Sequence, residues 1–226
     1  GSAFSNPKLM VGIGANVESI TQNFSLGPVE QTGSALDAAI TGDGFFVTRS
    51  GETGETFYTR NGSFETDEGN FIQDGSGNRL QMFPTDAAGN VTSTTPQDAL
   101  VPSQNAAGSD FAGLTISSNG NISASFVDGS NEVIGKVSLA SFIAPNGLRQ
   151  VGSSNWQSTG ISGAPKYGGP GEGLYGKLLA GSLERSNVDI GEQLVALITA
   201  QRNFQANAKA IDTATQIGQT VINLRT

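Results

Sequence analysis

Three stretches of this chain contain residue types that could bind a ligand or carry out a reaction. The glycine-rich run GGPGEG at residues 168–173 has the composition of a phosphate-binding loop, and DGSGN at residues 74–78 begins like a calcium-binding loop. Serine, lysine, aspartate and glutamate could together form a hydrolase site without histidine. Each interpretation requires further residues at fixed spacings, so the sequence itself can test it.

None of these stretches has the residues that would complete its motif. No Lys-Ser or Lys-Thr follows residues 168–173, which favours a flexible loop. After residues 74–78, Arg79 occupies the position where an EF-hand needs glycine, and no glutamate occupies position twelve, so a plain turn is favoured. No Gly-x-Ser-x-Gly element is present. We therefore expect no catalytic, metal-binding or cofactor-binding residues, and a protein that is not an enzyme.

Composition narrows the function classes further. The 226 residues include no cysteine and no histidine, which excludes disulfides and thiol nucleophiles and removes the commonest general base and zinc ligand. The formal net charge is −8, and residues 188–226 carry equal numbers of acidic and basic residues, so the excess lies in residues 1–187. An acidic surface repels phosphate, and no apolar run approaches the length of a membrane span. We expect neither nucleic-acid binding nor membrane insertion.

The last forty residues have the pattern of one long amphipathic helix. Ser186 is the predicted N-cap, with Asp189 in the capping-box position. About 37 residues at roughly 1.5 Å each would form a rod of about 55 Å. Apolar residues recur at spacings of three and four in a heptad seam, and a second apolar stripe lies beside it, so the helix needs more than one neighbour. The predicted subunit-packing residues are Ile190, Leu194, Leu197, Ile198, Phe204, Ala208, Ile211, Ile217, Val221, Ile222 and Leu224.

The preceding residues are rich in Gly, Ser, Thr and Asn, with short apolar runs between turn signals. Hairpins are predicted at Gly42-Asp43-Gly44, at Asn61-Gly62, at residues 74–78 and at Asn119-Gly120. The longest predicted strands are residues 133–142 and 174–183. The predicted fold class is mainly β, an antiparallel β-sandwich or barrel-like body with a long C-terminal α-helix. The predicted domains are a β-rich body at residues 1–185 and the helix at residues 186–226.

Three blocks of sequence resemble the bacterial flagellar rod and hook family. The helix carries SNVD at residues 186–189, AQRNFQANA at 200–208 and INLR at 222–225, which look like the hook protein in particular. GSALDAAITGDGFF at residues 33–46, with YTRNGSF at 58–64, resembles the motif pair that opens the family's β domain. The third block is residues 134–142, followed by Asn146-Gly147-Leu148 and residues 152–156. The blocks keep the family's order over most of the chain.

The resemblance implies a subunit of a helical tube exported by the flagellum's own type III apparatus. In the family the C-terminal helix packs in the inner-core coiled coil against an N-terminal helix of the same chain. Residues 10–24 resemble the stretch that follows that helix, so the sequence is interpreted as an N-terminally truncated or short form. Hook subunits usually carry an outer domain near residues 84–111. That segment is therefore interpreted as a loop or as the site of a missing outer domain.

The resemblance favours the hook, an extracellular tube that works as a flexible universal joint and transmits torque. The implied partners are copies of the chain itself, the neighbouring rod and hook-associated junction proteins, and the hook cap during assembly. A distal-rod subunit of the basal body, spanning the periplasm, is the alternative, because no outer domain is present. A second alternative from another class is a secreted carbohydrate-binding β module with a helical oligomerisation tail. It would need an exposed aromatic platform, and the body has few aromatic residues.

Overall fold

The computed structural model describes residues 22–223, except for the side chains of Val221 and Ile222. Within these described residues, seventeen strands are followed by one α-helix, and the fold is mainly β. The strands are β1 (Val29–Gln31), β2 (Ala38–Thr41), β3 (Phe45–Ser50), β4 (Thr56–Thr59), β5 (Phe64–Thr66), β6 (Ile72–Asp74), β7 (Asn78–Phe83), β8 (Gln97–Asp98), β9 (Phe111–Ile116), β10 (Asn121–Phe126), β11 (Asn131–Val137), β12 (Leu139–Ser141), β13 (Arg149–Gly152), β14 (Asn155–Gln157), β15 (Lys166–Gly168), β16 (Lys177–Ala180) and β17 (Ser182–Glu184). The helix, α1, spans Ile190–Asn223, and a short 3-10 helix spans Pro145–Gly147.

Every strand pair among the described residues is antiparallel, as predicted. The main sheet has thirteen strands, and its longest path runs β13-β14-β4-β3-β7-β11-β10-β9. Two small sheets, β1 with β17 and β2 with β16, join the start of the body to its end. Within the described residues the main sheet stays open, so the body is not a closed barrel.

Strand β3 is buried on both faces and separates two clusters of apolar side chains. Because side chains alternate along a strand, Phe46 enters the larger cluster, while Phe45 and Val47 enter the smaller one. The larger cluster also contains Leu80, Ile122 and Leu139. The smaller one is aromatic: Phe24, Phe142 and Trp156 pack edge to face against Phe45, and Tyr58 packs edge to face against Phe142. Trp156 is a partly buried residue of β14.

Two of the predicted hairpins are correct, and both close on a local turn. Asp74 connects β6 to β7, with its Oδ1 atom accepting hydrogen bonds from the backbone amides of Ser76 and Asn78 at 2.9 Å each. This carboxylate caps a turn, as predicted. Asn119-Gly120 connects β9 to β10. The Asp74 geometry recurs at Asp86 and at Asn105, whose Oδ1 atoms accept from the amides two and four residues ahead.

The other two hairpin predictions are wrong, because the strands flanking the turn pair with distant strands. Around Gly42-Asp43-Gly44, β2 pairs with β16, whereas β3 pairs with β4, β7 and β12. Around Asn61-Gly62, β4 pairs with β3 and β14, whereas β5 pairs with β6. Gly62 instead brings its backbone against β2, where its carbonyl accepts from the amide of Ala38 at 3.0 Å. A β-carbon on Gly62 would lie 1.7 Å from the Ala38 carbonyl oxygen.

The two longest predicted strands are each divided into two. Residues 133–142 are split at Ser138, a fully buried residue whose amide donates to the Gln81 carbonyl, so that β11 joins β7 and β12 joins β3. Residues 174–183 are split at Gly181, whose φ of +66° is in the region that favours glycine. That break lets β16 pair with β2 and β17 with β1.

The segment at residues 84–111 is mostly loop, but its centre belongs to the sheet. Strand β8 pairs with β7, and the amide of Ala99 donates to the Leu80 carbonyl at 2.8 Å. Ala99 and Val101 are both buried in the larger cluster. Residues 84–111 contain few apolar residues, but the burial of Ala99 and Val101 in the core fixes the position of the centre of this segment.

Gly62 provides a test of the close packing between β2 and the β4–β5 connection. We expect Gly62→Ala to lower the free energy of unfolding by more than about 2 kcal/mol, because the added β-carbon overlaps backbone that cannot move independently. Gly75→Ala is the matched control, since nothing lies within 4 Å of a β-carbon there, and its effect should stay within about 0.5 kcal/mol. Urea unfolding followed by circular dichroism measures both. Equal effects of the two substitutions would contradict the close approach.

Candidate functional site

The long helix α1 is the candidate functional surface. Its N-cap lies three residues after the N-cap predicted from the sequence. Asp189 is the residue whose Oδ1 atom accepts from the amides of Gly191 at 2.7 Å and Glu192 at 3.2 Å. This is the N-cap arrangement, which also places negative charge at the positive end of the helix dipole. Ser186 accepts only from the amide of Val188, in a turn before the helix. The Ser186 prediction is therefore wrong by three residues.

Residues 190–220 of the helix are all exposed. Leu194 is 52% exposed and Phe204 is 77% exposed, values that are unusual for large apolar side chains. The 34 residues of α1 correspond to a rod of about 51 Å. None of the described helices is long and apolar enough to span a membrane.

The predicted packing residues therefore lie on α1, but no described part of the chain covers them. Those with described side chains, all of them exposed, are Ile190, Leu194, Leu197, Ile198, Phe204, Ala208, Ile211 and Ile217. Val221 and Ile222 lie within the helix, and Leu224 lies outside the described residues. The packing role of this seam remains a prediction.

The base of the helix is held by a segment from the other end of the described chain. Strands β1 and β17 pair, and the amide of Arg185 donates to the Pro28 carbonyl at 2.8 Å. The side-chain amide of Asn187 donates to the Ser25 carbonyl, also at 2.8 Å. A β-carbon on Gly27 would lie 2.0 Å from the Arg185 carbonyl oxygen, so these segments run in close contact. Residues 23–28 thus enter the body beside the point where the chain leaves it for α1.

A largely buried ion pair anchors this base to the sheet. Arg60 and Glu184 have side chains only 12% and 10% exposed, and the nearest N and O atoms are 2.9 Å apart. The guanidinium group of Arg60 also donates to the carbonyls of Gly42 and Gly44, at 3.1 and 3.0 Å. Glu184 accepts in addition from the amide of Gly27 at 2.9 Å. Arg60 therefore connects the β2–β3 connection to β17, and through Glu184 it is also linked to the segment beside the helix base.

Sequence reasoning did not identify this ion pair. Arg60 lies in the YTRNGSF block, and its type and spacing give no indication of a partner 124 residues away. An open groove of about 570 Å³, with polar and apolar lining in similar amounts, lies next to the pair and is lined in part by Asn23, Trp156 and Asn187.

The ionisable groups with shifted pKa values lie elsewhere and do not form a catalytic site. Burial raises the pKa of Tyr58 well above its ordinary value, and its hydroxyl lies 3.3 Å from that of Tyr167. The hydrogen bond from Lys136 lowers the pKa of Glu172. Neither shift brings a group toward neutral pH, where a general acid or base is most effective. Among residues 22–223, no group of three or more Asp or Glu side chains is arranged to hold a metal ion.

Comparison with known proteins identifies two matching family regions. The family described as "Flagellar hook protein FlgE/F/G D1 domain" matches residues 39–124. The family described as "Flagellar basal body rod FlgEFG protein C-terminal" matches residues 179–224, which include β17 and the whole of α1. The basal-body rod protein FlgG of Bacillus subtilis is 32% identical over 216 residues, covering 95% of this chain and 75% of the relative. This chain belongs to the flagellar rod and hook family.

Other relatives in the rod and hook family match different shares of the chain. The rod protein FlgG of Borreliella burgdorferi is 33% identical over 90% of this chain and 70% of its own length. The hook protein FlgE of Salmonella typhimurium is 40% identical over 116 residues, which cover 51% of this chain and 29% of the hook protein. The family resemblance seen in the sequence is thus confirmed. The two relatives that match nearly the whole of this chain are rod proteins, and the distal rod was the alternative to the hook in the sequence analysis. The hook relative matches half of the chain with a higher identity.

The ion pair at the helix base provides a test of how α1 is attached. We expect Glu184→Gln to lower the free energy of unfolding by about 2 kcal/mol, because it leaves the largely buried Arg60 charge without its carboxylate. Glu30→Gln is the matched control, since Glu30 pairs with Arg185 through side chains that are 53% and 67% exposed. Its effect should remain under about 0.5 kcal/mol. Urea unfolding compares the two variants, and similar losses would contradict a special role for Arg60.

Proposed function

We propose that this chain is a structural subunit that assembles with copies of itself into the axial tube of the bacterial flagellum, and that it is not an enzyme. The observation that carries the proposal is the helix α1, whose apolar residues are exposed along its whole described length. Apolar area of this extent is stabilised only when other helices cover it. In a tube, α1 would form the inner layer, and the β body would lie outside it.

At the finer level we propose that the tube is the hook, which bends as it rotates and so acts as a universal joint. The proposal is supported by the higher identity to a hook protein, 40% against 32% and 33% for the two rod proteins. Its partners would be further copies, the adjoining rod and hook-associated junction proteins, and the hook cap during assembly. Its location would be extracellular.

The distal rod is the second candidate. It is supported by the rod relatives, which match 70% and 75% of their own length, whereas the hook relative matches over only 29% of its length. The β body also passes through residues 84–111 without an added domain. A distal-rod subunit would span the periplasm as part of the basal body. The carbohydrate-binding alternative has no comparable support, because the main aromatic cluster lies inside the body.

Deleting the gene and imaging isolated basal bodies distinguishes the two locations. Because an axial structure is built from its base outward, loss of a hook subunit should leave a complete rod that ends where the hook would begin. Loss of a rod subunit should leave a shortened rod. Electron microscopy with complementation by the intact gene measures the outcome. Normal flagella in the deletion strain would contradict both locations.

The role of α1 is tested by placing a charge in the predicted seam. We expect Leu197→Asp, and separately Phe204→Asp, to abolish assembly while the β body remains folded, because a carboxylate buried between packed helices is strongly unfavourable. Thr213→Asp adds the same charge at a heptad position that no residue of the two apolar stripes occupies, and it should assemble normally. Motility and pelleting of assembled tubes provide the readouts. Normal assembly of the Leu197 and Phe204 variants would exclude an inner-layer role for the helix.

A further inference from the structure

Two isoleucines form a rigid apolar projection on the β body. Ile143 and Ile161 are 81% and 80% exposed, the first in the β12–β13 connection and the second in the β14–β15 connection. The two connections are bound together, because the amide of Ala144 donates to the Ser162 carbonyl at 3.3 Å and the hydroxyl of Thr159 donates to the Gly147 carbonyl at 2.6 Å. Ile143 and Ile161 are called the apolar knob below.

The backbone beneath the knob is closely packed. Ser162 is fully buried, and its hydroxyl oxygen accepts from the amide of Thr159 at 2.9 Å. A β-carbon on Gly147 would lie 2.6 Å from the Ser162 nitrogen. Two large apolar side chains held in place before binding lose little conformational entropy when they are covered, which is the property of an interface anchor.

An apolar groove lies at the opposite end of the sheet. It is a depression of about 370 Å³ lined in part by Leu36, Thr66, Phe111 and Leu114. Phe111 and Leu114 belong to β9, the last strand of the eight-strand path, whereas the knob lies in the connections that lead into β13, the first strand, and out of β14, the second. At about 4.8 Å per strand, β13 and β9 are separated by on the order of 30 Å along the sheet. This depression is called the edge groove below.

The charges around the knob and the groove are opposite. Residues 133–171, which include the knob, contain three basic residues and no acidic residue, although the chain as a whole is acidic. Lys136 pairs with Glu172, but Arg149 and Lys166 are exposed and make no ion pair within the described part of the chain.

Acidic residues dominate the sequence that contributes the groove. Residues 22–132 contain fourteen acidic and three basic residues. Three exposed acids, Glu65, Glu68 and Asp110, lie within two residues of Thr66 or Phe111 in the chain. The knob and its cations therefore complement the groove and its anions.

We propose that the apolar knob of one copy of this chain docks into the edge groove of the next copy. A knob and a groove at opposite ends of one sheet cannot meet within one molecule, so the contact joins copies head to tail. Such a heterologous contact, repeated without closing into a ring, generates a helical assembly. The inference rests on the proposed function as a self-assembling subunit and adds to it a body-to-body contact that is separate from the helix α1.

Disulfide trapping tests the contact directly, because the chain has no cysteine of its own. A chain with both Ile161→Cys and Gly113→Cys carries one thiol on the knob and one on β9 at the groove, where a β-carbon meets nothing within 4 Å. Under oxidation by diamide we expect a ladder of dimers, trimers and higher species on non-reducing gels, since each chain has both halves of the contact. Each single-cysteine variant can give only dimers.

The matched control replaces the knob position with an equally exposed residue elsewhere. Leu174, on the β15–β16 connection, is 84% exposed, and Leu174→Cys with Gly113→Cys should give no ladder. A ladder from this pair equal to that from Ile161 with Gly113, or the absence of any ladder from the latter, would overturn the contact. Sedimentation of the unsubstituted chain distinguishes failure of the knob–groove contact from failure of the proposed self-assembly. If the unsubstituted chain assembles but the cysteine pair gives no ladder, only the knob–groove contact is contradicted. If the unsubstituted chain stays monomeric, the proposed self-assembly is contradicted as well.

Charge reversal provides an independent test that needs no cysteine. We expect Arg149→Glu with Lys166→Glu to weaken association, and Glu68→Lys with Asp110→Lys to do the same, because each puts like charges on both sides of the contact. Mixing the two variants restores opposite charges at every knob and groove, so light scattering of the mixture should return to the level of the unsubstituted protein. Unchanged association of both variants, or a mixture no better than its components, would overturn the proposal.

Discussion

The constraint on which the rest of the structure depends is that the helix α1 cannot bury its own apolar side chains. The β body completes its core from residues of β2 to β16, and the side chains of residues 190–220 remain exposed. The core therefore does not fix the direction in which the helix leaves the body. The β1–β17 pair and the Arg60–Glu184 ion pair hold only its base. A helix joined in this way is firmly attached at one end and open to other chains along the rest of its length.

The sequence predicts those parts of the fold that depend on local interactions. The helix is recognisable because its apolar spacing repeats over many turns, and the turns at Asp74 and Asn119-Gly120 join strands that are neighbours in the chain. The Asn61-Gly62 signal is as strong, but the strands around it pair with others: β4 pairs with β14, where Thr59 faces Asn155, 96 residues away. The residues of a turn determine the local bend of the backbone, but they do not determine which strands pair with each other.

The same distinction applies to the candidate site. The helix could be predicted because an amphipathic pattern repeats along one element, whereas the packing role of its apolar residues stays a prediction. The base of the helix could not be predicted, because it depends on hydrogen bonds such as the one between Gly27 and Glu184, two residues that are 157 positions apart in the sequence. The N-cap was misplaced by three residues because Ser186 and Asp189 both carry suitable side chains, and only the backbone geometry decides between them.

The proposed assembly would use two kinds of surface on one chain. The seam of α1 is apolar, and contacts of that kind are insensitive to small changes in charge or salt and resist separation. The knob and the edge groove combine a small apolar contact with exposed charges, which is a smaller and more easily altered interface. When a tube bends, the subunits on its outer surface change their spacing more than those near its axis. In the proposed tube, the contact that yields would therefore lie on the body, and the contact that holds would lie on the helix.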